Sequence, residues 1–402
     1  MWNRVSRQLL ATVVLVSFSF SACTAQRSDP NDSSATTVAD VPARHASVPG
    51  DDITASRQNA ITRAVKVVAP AVVGINVTEV REYSYRDPMS DMFSDPFFEH
   101  YFGRRRSPQT FQQEVRGLGS GFLISSDGFI VTNDHVAGSA TKIIVTTSGG
   151  KQYDARIVGT DATSDIALLK IDAKDLPYLS LGNSDDVMVG EWAIALGNPF
   201  GLFDINANPT VTVGVISNTG VNLQPTDRRV YRGMLQTDAA ISSGNSGGPL
   251  VNTLGQVIGV NATIYSTSNS RMGAGSIGIG FAIPINRARS VIEDLKKNGS
   301  IDRRYWTGMS IRQVDERIAR YLKLASTDGV VVVEVVPGSP AEKAGLAQGD
   351  VITSINGNAV RTEDNALLLL YDGRVGDRLE LVYMRDGTSK KGTLQLERQP
   401  TE

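Results

Sequence analysis

A succession of short apolar, β-branched segments limits what this chain can fold into: Val72 to Val77, Gly121 to Ile124, Ile143 to Thr146, Ile166 to Ile171, Val211 to Ile216 and Val257 to Val260. Each has strand length and is bounded by turn residues, so the spacing predicts a mainly β protein. The 38 glycines in 402 residues exceed the usual ~7%, as many tight turns between short strands require. That length accommodates two or three domains of roughly 100–200 residues each. With 41% hydrophobic and 20% charged residues the composition is that of soluble globular material. A formal net charge of −2 argues against a nucleic-acid partner, which normally meets a basic face.

One turn between these strands carries chemistry. Gly244-Asn245-Ser246-Gly247-Gly248-Pro249 puts a serine hydroxyl on a glycine-lined bend, ahead of the apolar run Pro249-Leu250-Val251. A nucleophilic serine must reach a carbonyl while neighbouring backbone N–H groups face the oxyanion that forms, and Gly244, Gly247 and Gly248 are expected to leave that space open. Taken alone, the same residues also fit an ordinary β-turn.

Such a serine needs a base, and there are three histidines. His45 lies in a polar stretch and His100 among aromatics and arginines, whereas His135 follows the strand-like Gly128-Phe129-Ile130-Val131-Thr132. The imidazole in turn needs a carboxylate to fix its tautomer. Asp165 sits where a polar turn enters the apolar Ile166-Ala167-Leu168-Leu169. Asp134 adjoins His135, but in an extended segment neighbouring side chains point to opposite faces. Asp161 is a second rival, with turn capping as its plain reading. The order His135, Asp165, Ser246 is that of chymotrypsin-type proteases and not of subtilisins or α/β-hydrolases.

Thr132-Asn133-Asp134-His135-Val136, Ser164-Asp165-Ile166-Ala167-Leu168 and Gly244-Asn245-Ser246-Gly247-Gly248-Pro249 resemble the HtrA (Deg) family of serine proteases. Leu196-Gly197-Asn198-Pro199-Phe200-Gly201, Gln236-Thr237-Asp238-Ala239-Ala240-Ile241 and Gly278-Ile279-Gly280-Phe281-Ala282-Ile283-Pro284 extend the resemblance from about residue 57 to the C-terminus. Two departures stand out: the family usually has asparagine where Asp134 stands, and Asn or a similar residue where Ser242-Ser243 lead into the turn.

The resemblance implies two six-stranded antiparallel β-barrels of chymotrypsin type at 57–300, followed by a small α+β PDZ domain at 301–402. It implies a triad of His135, Asp165 and Ser246, and an oxyanion hole from the Gly244 and Ser246 amides. It also implies an apolar S1 pocket from Ile241, Ile264 and Tyr265. Tyr265 is bulkier than the leucine common there, so small aliphatic P1 residues are expected. No metal or organic cofactor is needed for this chemistry. Expected partners are unfolded or misfolded proteins, C-terminal peptides at the PDZ domain, and further copies of the chain in a homotrimer or larger assembly.

Residues 1–25 read as an export signal, with Arg4 and Arg7 before the apolar run Leu9 to Phe20 and small residues around Ala22-Cys23. That run is short for a membrane span, which needs about 20 apolar residues. Cys23 is the single cysteine. Ser21-Ala22-Cys23 resembles a bacterial lipoprotein cleavage box, which would lipidate Cys23, whereas trimming by an ordinary signal peptidase is the alternative. Both imply the periplasm or another extracytoplasmic compartment of a bacterium, with membrane attachment through the N-terminus in the first case. Residues 26–56, rich in Ser, Thr, Asp, Ala and Pro, are expected to form a disordered tether.

Apolar positions predict helices at Asn59 to Val68 and Asn286 to Asn298, the latter stopped by Gly299. Between the first strand and Gly117 lies an insertion carrying Tyr83, Tyr85, Phe93, Phe97, Phe98, Tyr101, Phe102 and Arg104-Arg105-Arg106. It is read as an interaction surface or a locally packed loop. In DegP-like and DegQ-like members the matching loop helps control activity and assembly. Further on, Val330 to Val336 predicts a strand, and Ser339-Pro340-Ala341-Glu342 a capping box. Trp306-Thr307-Gly308-Met309 matches the PDZ loop that captures a peptide's terminal carboxylate, with the peptide adding as a strand.

Together these features point to a serine endopeptidase of protein quality control. A chaperone or peptide sensor with a latent protease domain is the main alternative. An esterase acting on small molecules has no further support in the sequence.

Overall fold

The computed structural model describes residues 57–85, 109–198, 208–224, 229–264 and 278–399. The export signal, Cys23, the tether, Tyr265 and most of the aromatic and arginine-rich insertion lie outside these residues. The first helix among the described residues, α1 (Ala60–Val68), starts because Asn59 Oδ1 accepts the Thr62 N–H at 2.9 Å, and it stops ahead of Pro70. Its Ala64 and Val68 are buried.

Six antiparallel strands follow: β1 (Val72–Tyr85), β2 (Gln109–Leu123), β3 (Phe129–Thr132), β4 (Lys142–Thr147), β5 (Gln152–Asp161) and β6 (Ile166–Ile171). They close into a barrel in the order β1-β2-β3-β6-β5-β4. The β1–β2 hairpin runs from Val72↔Phe122 out to Tyr85↔Gln109, so both ends of the insertion continue these strands. A second closed barrel has the order β10-β11-β12-β9-β8-β7. Its strands are β7 (Trp192–Gly197), β8 (Thr210–Val221), β9 (Met234–Thr237), β10 (Pro249–Val251), β11 (Val257–Ile264) and β12 (Gly280–Pro284). The expected pair of six-stranded barrels is therefore present.

One apolar cluster joins the barrels, running from Val72, Phe122 and Leu168 to Leu196, Val257 and Ile283. Over it lies α3 (Ile285–Asn298), which buries Ala288, Val291, Ile292 and Leu295. Gly299 closes this helix in the left-handed conformation (φ 72°), donating its N–H to Leu295 O at 2.9 Å. The intervening α2 is a single turn, Asp134–Ala137.

Beyond residue 300 the chain builds a separate core around Val330, Ile352, Leu370, Leu381 and Leu394. A short pair, β13 (Tyr305–Trp306) and β20 (Glu397–Arg398), stands beside a sheet in the order β14-β15-β16-β18-β19. The sheet strands are β14 (Met309–Gln313), β15 (Val330–Val335), β16 (Val351–Ile355), β18 (Arg378–Arg385) and β19 (Thr388–Gln395), and β17 (Asn358–Ala359) pairs with β16. Three helices accompany it: α4 (Glu316–Tyr321), α5 (Pro340–Lys343) and α6 (Glu363–Tyr371). Ser339 caps α5 as its sequence predicts, its Oγ accepting the Glu342 N–H at 3.3 Å. β14 ends the sheet, so among the described residues one of its edges pairs with no other strand.

Arginines tie this region to the barrels. Arg303 grips Asp161, at the end of β5, through two hydrogen bonds of 2.8 and 2.7 Å. Asp372, just beyond α6, faces Arg287 at 2.9 Å and Arg232 at 3.4 Å, and Arg374 bonds Asp294 on α3. Burial alone would raise the pKa of Asp161, but its bonds to Arg303, helped by Ser164, outweigh that and hold it below the usual carboxylate value. A depressed folded-state pKa stabilises above the unfolded value, near 3.9, and that stability is lost as pH falls through the folded value. Arg303→Gln should therefore lower stability by about 3 kcal/mol at pH 7, with the deficit shrinking below about pH 4. Thermal melts at both pH values check this, and equal melting at pH 7 would contradict it.

Candidate active site

The best-defined part of the site is the contact between the one-turn helix α2 and the turn before β6. His135 Nδ1 lies 2.9 and 2.8 Å from Asp165 Oδ1 and Oδ2, and the His135 backbone N–H donates to Oδ1 at 3.0 Å. Extended backbone was expected at 134–135, but these residues begin a helical turn. Asp165 is nonetheless the carboxylate at the imidazole. Its carboxylate is fully buried, while the His135 side chain keeps 30% exposure, enough to meet an incoming molecule.

Asp165 adopts the left-handed backbone conformation with φ 59°, which an L residue holds only when its surroundings over-determine it. Those surroundings are specific. The Asp161 carboxylate accepts from Ser164 N at 3.2 Å and Ser164 Oγ at 2.5 Å, capping the turn. Asn133 Nδ2 donates to the Asp165 carbonyl at 2.9 Å. Asp161 is thus a turn cap, as its plain reading had it, although Arg303 adds an ion pair that sequence spacing does not reveal.

Two residues at this site escape sequence reasoning. Tyr231 OH donates to Asp165 Oδ2 at 3.2 Å; burial, then the Asp165 charge, push this phenol well above its ordinary pKa and keep it a donor. Arg229 Nε stands 3.4 Å from Asp165 Oδ1, and its Nη2 stands 3.9 Å from Asp134 Oδ2. The aspartate at 134 is thereby matched to a nearby guanidinium. An acidic residue beside the histidine, with arginines about a hundred residues later, is too weak a pattern to have found the pair.

Ser246 lies in the second barrel, in the turn that leads into β10. Its carbonyl accepts the Ser120 N–H of β2 at 2.9 Å. Gly247 has φ 82°, and a Cβ there would meet Ser120 O and Thr132 Oγ1 at 2.3 Å, while one on Gly248 would meet Leu196 O at 2.2 Å. Glycine is needed at these two positions because the strands beneath approach so closely, rather than to keep the space above the serine open. Gly247 also lies against the Asn133 backbone, two residues before His135, which brings the serine turn to the histidine turn.

Ser246 Oγ donates to the Ala262 carbonyl of β11 at 3.3 Å, and Ser243–Asn245 forms one turn of 3₁₀ helix, with Asn245 N–H donating to Ser242 O at 2.9 Å. Ile241 is buried, and a Cβ on Gly280 would meet its Cδ1 at 2.8 Å; Gly280 is the register partner of Ile264. In the C-terminal region, Thr307 O accepts the Ala341 N–H at 3.0 Å and Gly308 O the Val336 N–H at 2.8 Å, which sets the Trp306–Met309 loop at the end of β14.

The family described as Trypsin-like peptidase domain matches residues 119–260, and the PDZ domain family matches residues 307–396. A protein of Chlamydia trachomatis named "Probable periplasmic serine endoprotease DegP-like" is 45% identical over 318 residues, covering 78% of this chain and 61% of its own length. A protein of Hahella chejuensis with the same name is 38% identical over 349 residues, covering 85% and 70%. A solved structure named "HtrA-type protease AlgW with decapeptide" superposes with TM-score 0.61 at 36% identity, covering 85% of this chain and 99% of that one. The chain spans about 60% or less of the three chlamydial relatives it resembles, which are longer proteins.

Burial, then the Asp165 charge, raise the pKa of Asp134, with Arg229 opposing them. A carboxylate raised in the folded state favours folding when protonated and opposes it when ionised. Asp134→Asn should therefore raise the melting temperature at pH 7, and this advantage should vanish as the pH falls below the carboxylate range. Melting curves across pH 3–8 check this. A variant less stable at neutral pH would contradict it.

Proposed function

This chain belongs to the HtrA (DegP-like) family of serine endoproteases, and from that membership we propose that it is an extracytoplasmic serine endopeptidase cleaving unfolded or damaged proteins. The observation that carries this reading is the His135 Nδ1–Asp165 contact at 2.8 Å, made beside the serine turn. In the proposed reaction His135 removes the Ser246 hydroxyl proton as Oγ attacks a peptide carbonyl. Asp165 holds the Nδ1 hydrogen, so that Nε2 is the basic nitrogen, and stabilises the imidazolium that forms. The proton then passes to the leaving amine, and water repeats the sequence on the acyl-enzyme.

The Gly244 and Ser246 amides are proposed to bind the oxyanion, and each such donor is worth roughly a hundredfold or more in rate. In that state Ser246 Oγ is proposed to leave the Ala262 carbonyl, and the 3₁₀ turn at Ser243–Asn245 to rearrange so that the Gly244 N–H faces the oxyanion. This supports a resting form that peptides or substrate activate, and it gives the latent-protease reading a physical basis as one state of the same enzyme. Ile241, Ile264 and Tyr265 are proposed to line an S1 pocket for small aliphatic side chains. The reading also includes trimeric assembly, a periplasmic location and attachment through Cys23.

The place of β14 as the terminal strand, next to the Trp306–Met309 loop, supports capture of a C-terminal peptide as an added strand. Gly308 has φ 67°, and a Cβ there would meet Ser339 Cβ at 2.1 Å, so no other residue fits the loop unaltered.

Two variants test these roles separately. Ser246→Ala should reduce casein cleavage by roughly 10⁶-fold while leaving the melting curve in place; undiminished turnover would remove Ser246 as nucleophile. Gly308→Val should abolish binding of a fluorescent apolar C-terminal peptide, read by anisotropy, and with it any stimulation of cleavage, while basal cleavage persists. Peptide binding at parental affinity would place the peptide site elsewhere.

A further inference from the structure

Ser120 is fully buried on β2, between Gly119 and Gly121, and all three of its polar groups leave the first barrel's ladder to meet other parts of the site. Its Oγ donates to the Gly244 carbonyl at 2.6 Å and accepts the Asn198 N–H at 2.7 Å. Its N–H donates to the Ser246 carbonyl at 2.9 Å, and its carbonyl accepts from Thr132 Oγ1 at 2.7 Å, three residues before His135. One residue therefore touches the first and last carbonyls of the Gly244–Ser246 span, the residue after β7, and the strand that leads to the histidine turn.

We propose that Ser120 is a positioning residue for the oxyanion-binding turn, and that its hydroxyl fixes the Gly244–Asn245 peptide plane against which the Gly244 N–H is aimed. This inference rests on the peptidase reading given above. The Gly244 carbonyl belongs to the peptide on the C-terminal side of that residue and its N–H to the peptide on the N-terminal side. Anchoring the carbonyl leaves rotation about the Gly244 N–Cα bond as the main freedom for turning the N–H toward a substrate oxygen. The backbone bond from Ser120 N to Ser246 O pins the other end of the span. Rearrangement of the 3₁₀ turn at Ser243–Asn245 is then a local movement of the Ser243–Gly244 peptide about a stationary end, rather than a collapse of the whole loop.

A buried serine is ordinarily a satisfied polar group in a core, and that role would touch stability alone. Here the hydroxyl's acceptor is in the span that would bind the oxyanion, and no backbone group of Ser120 can replace it. Removing the hydroxyl leaves the Gly244 carbonyl and the Asn198 N–H without this partner in a buried setting, where both would seek other bonds and shift the turn. Misplacement by about 1 Å at such a site lowers turnover on the order of a hundredfold.

The test compares the full chain with Ser120→Ala and Ser120→Cys, the second keeping the shape of the side chain with a poorer hydrogen-bonding group. Turnover of a short peptide substrate is measured per active site, counted by titration of Ser246, so that any unfolded fraction drops out. Ser120→Ala should lower kcat by about ten- to a hundredfold with KM changed less than about threefold, and Ser120→Cys should fall between it and the parent. A peptidyl boronate, which mimics the tetrahedral state, should lose affinity in parallel with kcat, while a cleaved product peptide should not. If Ser120→Ala does not fold, Ser120→Cys carries the same comparison.

Parental kcat and parental boronate affinity per titrated site, in whichever variants fold, would overturn the inference and leave Ser120 a core residue. If the parent itself shows no turnover that Ser246→Ala removes, the peptidase reading has failed instead. The two failures are thus separable.

Discussion

The site is organised around a buried negative charge. The Asp165 carboxylate has no access to solvent, and an ion in that position persists only if the protein supplies what water would have given. Four groups do so: the His135 backbone N–H, the His135 ring, the Tyr231 hydroxyl and the nearby Arg229 guanidinium. These come from α2 in the first barrel and from the segment leading into β9 in the second, so satisfying one carboxylate draws the two barrels together at the site. The left-handed backbone at Asp165 is maintained by the same demand, because the Asp161 cap and the Asn133 side chain hold the turn in place.

This arrangement explains why distant parts of the chain bear on one histidine. Asp161 caps the turn before Asp165 and is itself gripped by Arg303, at the entrance to the C-terminal region. Ser120 holds the serine turn and, through Thr132, the strand before His135. The histidine, aspartate and serine turns are thus braced by hydrogen bonds from outside the reacting groups. In the proposed reaction it is the Ser246 hydroxyl, now on the Ala262 carbonyl, and the Ser243–Asn245 turn that exchange their present bonds.

Much of this was legible in the sequence, for identifiable reasons. His135, Asp165 and Ser246 stand in local patterns that a nucleophilic site requires, and their order along the chain separates one fold from its convergent rivals. Helices α1 and α3 were readable because their apolar positions recur at helical spacing, and Pro70 and Gly299 stop them by local backbone chemistry that does not depend on tertiary context. Strands were harder. β5 is half-buried, with polar Gln152, Asp154 and Arg156 along it, and β9 has only four residues, so neither forms an apolar run. Arg229, Tyr231 and Ser120 were not legible, because their roles arise from contacts spanning more than sixty residues of sequence. Gly247 and Gly248 were singled out correctly but for a different reason, the close approach of Ser120, Thr132 and Leu196 beneath them.

On the proposed reading the Ser246 hydroxyl is a nucleophile activated by the His135–Asp165 pair. The most direct measurement of this is labelling of the full chain with a fluorophosphonate, with and without an unfolded protein or an apolar C-terminal peptide, followed by mass-spectrometric mapping of the adduct. One adduct is expected, on Ser246, formed faster when such a peptide or unfolded protein is present. No adduct under any of these conditions, or an adduct on a different serine, would contradict that reading.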